Sequence, residues 1–209
     1  MIRTEHREEK WIFPYVKYAP AGDPSGLPLI VQLHGAGERG DGSEAELSRV
    51  DIHGFSSVVR ELDVPCILVM PQCPRDSFWA ARVESIIRFI EQLKAELGVD
   101  PDRVCLTGLS MGGYGTWYTA TARPDLFAAI APVCGGGMAR DAGVLTMPIR
   151  VWHGTADNVV SVTQSDEMVE KLRSLGRDAV YARLDGVGHN VWVHAYNREL
   201  LDWLLSQKR

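Results

Sequence analysis

"VCLTGLSMGGYGTW" (residues 104–117) joins an apolar run to a cluster of glycines around one serine. The run from Val104 reads as a buried strand, and Gly108, Ser110 and Gly112 spell G-x-S-x-G. A serine at the tip of a strained strand-to-helix turn needs small neighbours, so that strand and helix can approach each other. The same glycines would also suit a plain packing contact. The stretch alone leaves both readings open, and the decision rests on what the other strand ends carry.

Working outward, short β-branched runs alternate with helical patterns. "PLIVQLHG" (28–35), "PCILVMPQ" (65–72), "RVCLTG" (103–108), "FAAIAPV" (127–133), "MPIRVWHG" (147–154) and "DAVYARLD" (178–185) read as strands. "WIFPYVKYAP" (11–20) reads as an edge strand, because Pro14 is poorly tolerated in a central one. Val83, Ile86, Ile87, Ile90, Leu93 and Leu97 recur at helical spacing before Gly98. Two further helices fit 161–175 and 194–205, the latter with a stripe of Leu200, Leu201, Leu204 and Leu205 that reads as core. Continuous apolar strands separated by helices predict an α/β fold, with a mostly parallel sheet covered on both faces. With no repeat, low-complexity tract or linker, residues 1–209 read as one domain.

In such a sheet, ligands bind beyond the carboxyl ends of the strands. Ser110 follows one strand, Asp157 in "HGTADNVV" follows another, and His189 in "LDGVGH" follows a third. A weak serine hydroxyl needs a base within hydrogen-bond reach, and the base needs a carboxylate to fix its tautomer. Asp157 could instead be a turn or capping residue and His189 a plain loop histidine. Their joint placement, in the order nucleophile, acid, base, favours catalysis. His6, His53, His153 and His194 fit the role of base less well, and Asp185 fits that of acid less well. An oxyanion site needs two donors. The amide of Met111 supplies one, and the loop "LHGAGERG" supplies the other from Ala36, with Gly37 as the alternative. His34 is expected to brace this loop, and Glu38 and Arg39 to form an ion pair within it. Trp79 and Trp192 are the candidate substrate contacts.

Gly35, Gly37 and Gly40 also spell G-x-G-x-x-G, a dinucleotide fingerprint. Against it, the next strand ends in Met70-Pro71-Gln72 without an acidic residue for a ribose, and the loop runs on through "DGSE".

Composition narrows the partners. A net charge of −5 without a long basic run argues against nucleic acid and against an anionic membrane surface. No apolar stretch is long enough to span a bilayer. The N-terminus lacks the apolar core of a signal peptide, and the four cysteines show no CxxC spacing, so they read as reduced thiols in a cytoplasmic protein. A secreted form with a trimmed leader is the alternative.

The words "PLIVQLHGAGERG", "GLSMGGYGTW", "APVCGGG", "HGTADNVV" and "GVGHNVW" fall in one order from about Leu29 to Trp203. With them the chain resembles the α/β-hydrolase superfamily. It is more closely similar to the small phospholipase/carboxylesterase and feruloyl-esterase-like group, and distantly to prolyl oligopeptidase catalytic domains. The resemblance implies Ser110 as nucleophile, Asp157 as acid, His189 as base, a hole built from Ala36 and Met111, and neither metal nor organic cofactor. It implies a serine carboxylesterase acting on a small ester. A peptidase, a thioesterase or a non-catalytic ligand-binding protein of the same fold are the rivals. Relatives insert lids between 132 and 148, where this chain is short, so no large lid is expected. Feruloyl, acetyl-sugar and simple short-chain esters all stay open, as does the oligomeric state.

Overall fold

In the computed structural model, residues 1–62, 64–177 and 179–209 are described. Eight strands form one sheet: β1 (Ile2–His6), β2 (Tyr15–Ala19), β3 (Leu29–Leu33), β4 (Ile67–Pro71), β5 (Val104–Leu109), β6 (Ala129–Val133), β7 (Ile149–Gly154) and β8 (Ala179–Leu184). Their spatial order is β1-β2-β4-β3-β5-β6-β7-β8. The pairs β1–β2 and β2–β4 are antiparallel, and every pair from β4 onward is parallel. Parallel neighbours require crossovers. These carry α1 (Glu44–Leu47), α2 (Ser56–Leu62), α3 (Val83–Leu97), α4 (Met111–Ala122) and α5 (Thr163–Ser174), while α6 (Trp192–Ala195) and α7 (Arg198–Leu205) follow the last strand.

Alternation along each strand divides the core in two. In β3, Leu29, Val31 and Leu33 pack with Ile86, Phe89 and Ile90 of α3 and Trp117 of α4. Ile30 points the other way, into the cluster holding Val59 of α2 and Leu200, Leu201 and Leu204 of α7. Burial on both faces makes these strands continuously apolar, which is why they stand out in the sequence. The six expected parallel strands are present, most a residue or two shorter at one or both ends. Residue 178, the expected start of the last one, lies outside the described residues.

Two expectations need correcting. The segment 11–20 does not make an edge strand: its ordered part, β2, lies between β1 and β4. Pro14 sits just before the strand and contributes only its carbonyl, which accepts from the Gln72 amide at 2.8 Å. The true edge is β1, a polar strand held by backbone pairing to β2. The last helix is also broken. α6 ends at Ala195, and Asn197 starts a new helix by accepting from the Leu200 amide at 3.0 Å. A side-chain cap therefore interrupts an apolar period that reads as continuous.

The connection from β6 to β7 holds a single short 3-10 turn, Ala139–Val144, and no lid domain. Among the described residues, no helix is long and apolar enough to cross a membrane.

Candidate active site

β5 runs into α4 through Ser110, whose backbone angles are φ 53° and ψ −115°. Positive φ is costly for a residue with a Cβ and persists only where the surroundings impose it. Here the Ser110 amide donates to Val133 O at 2.9 Å, and the Ser110 carbonyl accepts from the Tyr114 amide at 3.1 Å. The glycines make the turn possible. A Cβ on Gly108 would collide with the Gly112 carbonyl, and one on Gly112 with the Leu33 carbonyl. Strand and helix thus meet at backbone distance, and the seryl hydroxyl projects from the tip.

His189 reaches this tip from the loop after β8. Its Nε2 lies 2.9 Å from Ser110 Oγ, and its Nδ1 lies 2.7 Å from Asp157 Oδ2. A carboxylate oxygen can only accept, so Nδ1 carries the ring proton and Nε2 is left to accept from the serine. Asp157 sits just past β7 with its side chain wholly buried. Its Oδ1 accepts from the Val159 and Val160 amides, both at 2.9 Å. Burial disfavours the charge, but the bonds from His189 and the two amides outweigh it and hold the carboxyl below its usual range. The three residues expected from the sequence are therefore brought together in one hydrogen-bonded line. Asp185 is not part of it, because its carboxylate accepts from Thr155 at 3.0 Å on the surface.

The loop after β3 closes the other side. Ala36 opens a 3-10 turn, Ala36–Glu38, and Met111 opens α4. Amides at such N-termini have no partner within their own helix. A methyl group placed on Gly35 would lie 3.8 Å from Ser110 Cβ, so this loop borders Ser110. The chain turns here without entering a long helix, unlike the dinucleotide fold.

Several residues fix the loop from beneath. His34 is 2% exposed; its Nδ1–H donates to Gly35 O at 2.6 Å, and its Nε2 accepts from the Cys73 amide at 2.9 Å. Burial pulls its pKa down to about 4, so it is a neutral brace. Trp79 is fully buried, and its indole donates to His34 O at 3.0 Å. Its ring lies in the core and is not a wall of the site. Gln72 donates to Glu38 O and Glu46 O and accepts from the Gly42 amide. The Gln in "MPQCP" was the only signal for this role. Glu38 and Arg39 turn apart. Arg39 donates to Ala36 O and Ser77 O, while the Glu38 carboxyl points inward toward His34 and His53, at 3.9 and 3.7 Å.

Trp192, half-buried, stands edge-on to His189 at a centroid distance of 5.4 Å and also touches the His53 ring. It borders a shallow cavity of about 260 Å³ with Ile52, His53, Gly54, Val193 and Tyr196. Among the described residues, Cys134, Asp157 and His189 place potential metal-ligand atoms within 4.8 Å of one another. In this arrangement Asp157 and His189 bond to each other, and burial pushes the Cys134 thiol up to about 12, which keeps it a poor ligand.

Comparison with known proteins agrees with the fold. The prolyl oligopeptidase family matches residues 80–137. A poly(3-hydroxyalkanoate) depolymerase C of Paucimonas lemoignei is 26% identical over 89% of this chain and 55% of its own length. Cutinase 1 of Thermobifida cellulosilytica is 31% identical over 71% of this chain and 56% of its own. A solved thermostable esterase superposes with a TM-score of 0.82 at 32% identity, covering all of this chain and 63% of its own. The chain has the α/β-hydrolase fold. It spans a little over half the length of the two curated relatives.

Proposed function

We propose that the chain is a serine carboxylesterase that hydrolyses a small or short-chain carboxylic ester through an acyl-enzyme. The observation that carries this reading is the line from Ser110 Oγ through His189 to buried Asp157, at 2.9 and 2.7 Å, on a residue with positive φ. Ser110 Oγ attacks the ester carbonyl carbon while its proton passes to His189 Nε2. Asp157 stabilises the resulting imidazolium and does not itself take the proton. The amides of Met111 and Ala36 receive the negative charge that develops on the carbonyl oxygen. The intermediate collapses, the alcohol leaves with the proton from His189, and water activated by the same nitrogen releases the acid.

The esterase and cutinase names among the relatives support an ester substrate. We read residues 1–209 as one catalytic domain, since a single sheet gathers strands from Ile2 to Leu184. The setting we propose is cytoplasmic, supported by four free, buried cysteines. Neither cofactor nor metal enters the scheme.

The decisive experiment is Ser110→Ala. It keeps the fold and lowers turnover of a short p-nitrophenyl ester by about 10⁴-fold or more; wild-type turnover in the variant would end the reading. A fluorophosphonate probe that fails to label Ser110 would favour a non-catalytic binding protein. The family match over 80–137 makes a peptidase the second reading. A panel of peptide amides and thioesters beside the esters separates these, with esters expected to turn over fastest.

A further inference from the structure

We propose that His153 is a positioning residue for the acid of the triad, holding Asp157 Oδ2 through its Nε2–H and drawing charge away from the side that faces His189. The inference rests on the catalytic reading above. His153 lies in β7, four residues before Asp157, and is fully buried. Its Nε2 is 3.2 Å from Asp157 Oδ2 and 3.0 Å from Val160 O. Both of those oxygens can only accept, so Nε2 carries a proton.

The other ring nitrogen, Nδ1, is 2.8 Å from Ser165 Oγ, and that hydroxyl is also 3.0 Å from Gly135 O. Ser165 has one proton to give. Turned toward Nδ1, it leaves the ring neutral with its single proton on Nε2. Turned toward Gly135 O, it demands a second ring proton. Burial favours the neutral ring. The oxygens facing Nε2, together with burial, thereby fix the tautomer of His153, and Ser165 completes it by donating to Nδ1.

The result is a carboxylate with every side engaged. Two amides hold Oδ1, His189 binds Oδ2 at 2.7 Å, and His153 Nε2, bonded to Val160 O, stands 3.2 Å from the same Oδ2. The oxygen that His153 approaches is the one that orients the base. Without His153, more negative charge faces His189, its protonated form is favoured, and the acid limb of the rate profile moves to higher pH. The titratable groups around Asp157 are His189, His153, Cys134 and Tyr114. Burial raises both the Cys134 thiol and the Tyr114 phenol, so neither changes charge across that limb.

The test has two parts. In wild-type protein, ¹⁵N NMR of the imidazoles reads the tautomer directly, and a neutral His153 ring protonated on Nε2 is expected. Finding it protonated on Nδ1 alone would overturn the proposal, whether or not the chain turns over an ester. Wild-type protein without turnover would count against the esterase reading instead. The second part compares His153→Phe with His153→Gln. The phenylalanine variant should lose about tenfold in kcat and shift its acid limb upward by roughly half a pH unit. The glutamine variant, whose amide N–H can occupy the place of Nε2–H, should return the limb to its wild-type position. A folded phenylalanine variant with an unmoved limb would sink the idea. So would a glutamine variant whose limb moves as far as that of phenylalanine. If the phenylalanine variant does not fold, the tautomer and the limb of the glutamine variant decide.

Discussion

The two sides of the site are held by different forces. On the nucleophile side, Ser110 and the oxyanion loop are fixed by backbone packing. Gly108 and Gly112 lie against carbonyls of neighbouring elements, and His34, Gln72 and Trp79 are buried beneath the loop. On the base side, His189 sits in a partly open loop with its side chain 17% exposed. Its ring is held by bonds to Asp157 and Ser110 and by the edge of Trp192. Substitutions in the packing that holds the first side should therefore cost mainly stability, and those around the imidazole mainly rate.

The largest stability effect is expected at Gly112. In an open helix, Gly→Ala gains about 1 kcal/mol from propensity. Here the added Cβ would run into the Leu33 carbonyl, and rigid backbone cannot yield cheaply. Gly112→Ala should lower the melting midpoint by roughly 5–10 °C. Gly37→Ala, in the same site but with nothing within 4 Å of the new Cβ, should stay within about 0.5 kcal/mol of wild type. Equal melting of the two variants would show that packing does not fix the nucleophile side.

The same division explains what could be read in the sequence. That Ser110, Asp157 and His189 come together is legible because the fold gathers strand ends on one edge of the sheet, and the strands announce themselves by being buried on both faces. Residues that support the site from inside an element carry no such mark. His153 lies within β7 and reads like any core histidine. Trp79 is as consistent with a pocket wall as with a buried donor to His34 O, because only packing tells which way an indole faces. Strand β1, "IRTEH", is half-exposed and polar; pairing to β2 and polar contacts such as Arg3 with Asp51 hold it, so it has no apolar pattern to read. Asn197 caps the start of α7, and the leucine stripe that suggests one helix from 194 lies wholly beyond it.

A smaller effect should appear with acid. Burial depresses His34 to about 4, while an unfolded histidine titrates near ~6.5. Below ~6.5 the unfolded chain takes up a proton that the folded chain refuses. The contribution of His34 is thus complete above that pH and is lost as pH falls toward 4, on the order of 3 kcal/mol in all. Denaturant titrations at pH 7 and pH 4.5 should show this loss in wild type and a shallower one in His34→Asn. An equal slope in both proteins would place the acid sensitivity outside the oxyanion loop.

The smallest effect should come from the packing contact that Trp192 makes on the base side. Trp192 meets His189 edge-on and touches His53, and an aromatic pair of this kind contributes about 0.5–1.5 kcal/mol. If hydrogen bonds dominate on this side, removing the indole loosens the imidazole without releasing it, because Asp157 still holds Nδ1. Trp192→Ala should then reduce kcat/KM by about twofold to tenfold, with Trp192→Phe recovering most of the loss and the melting midpoint nearly unchanged. A fall beyond a hundredfold would mean that packing positions the base as well, and the division between the two sides would no longer hold.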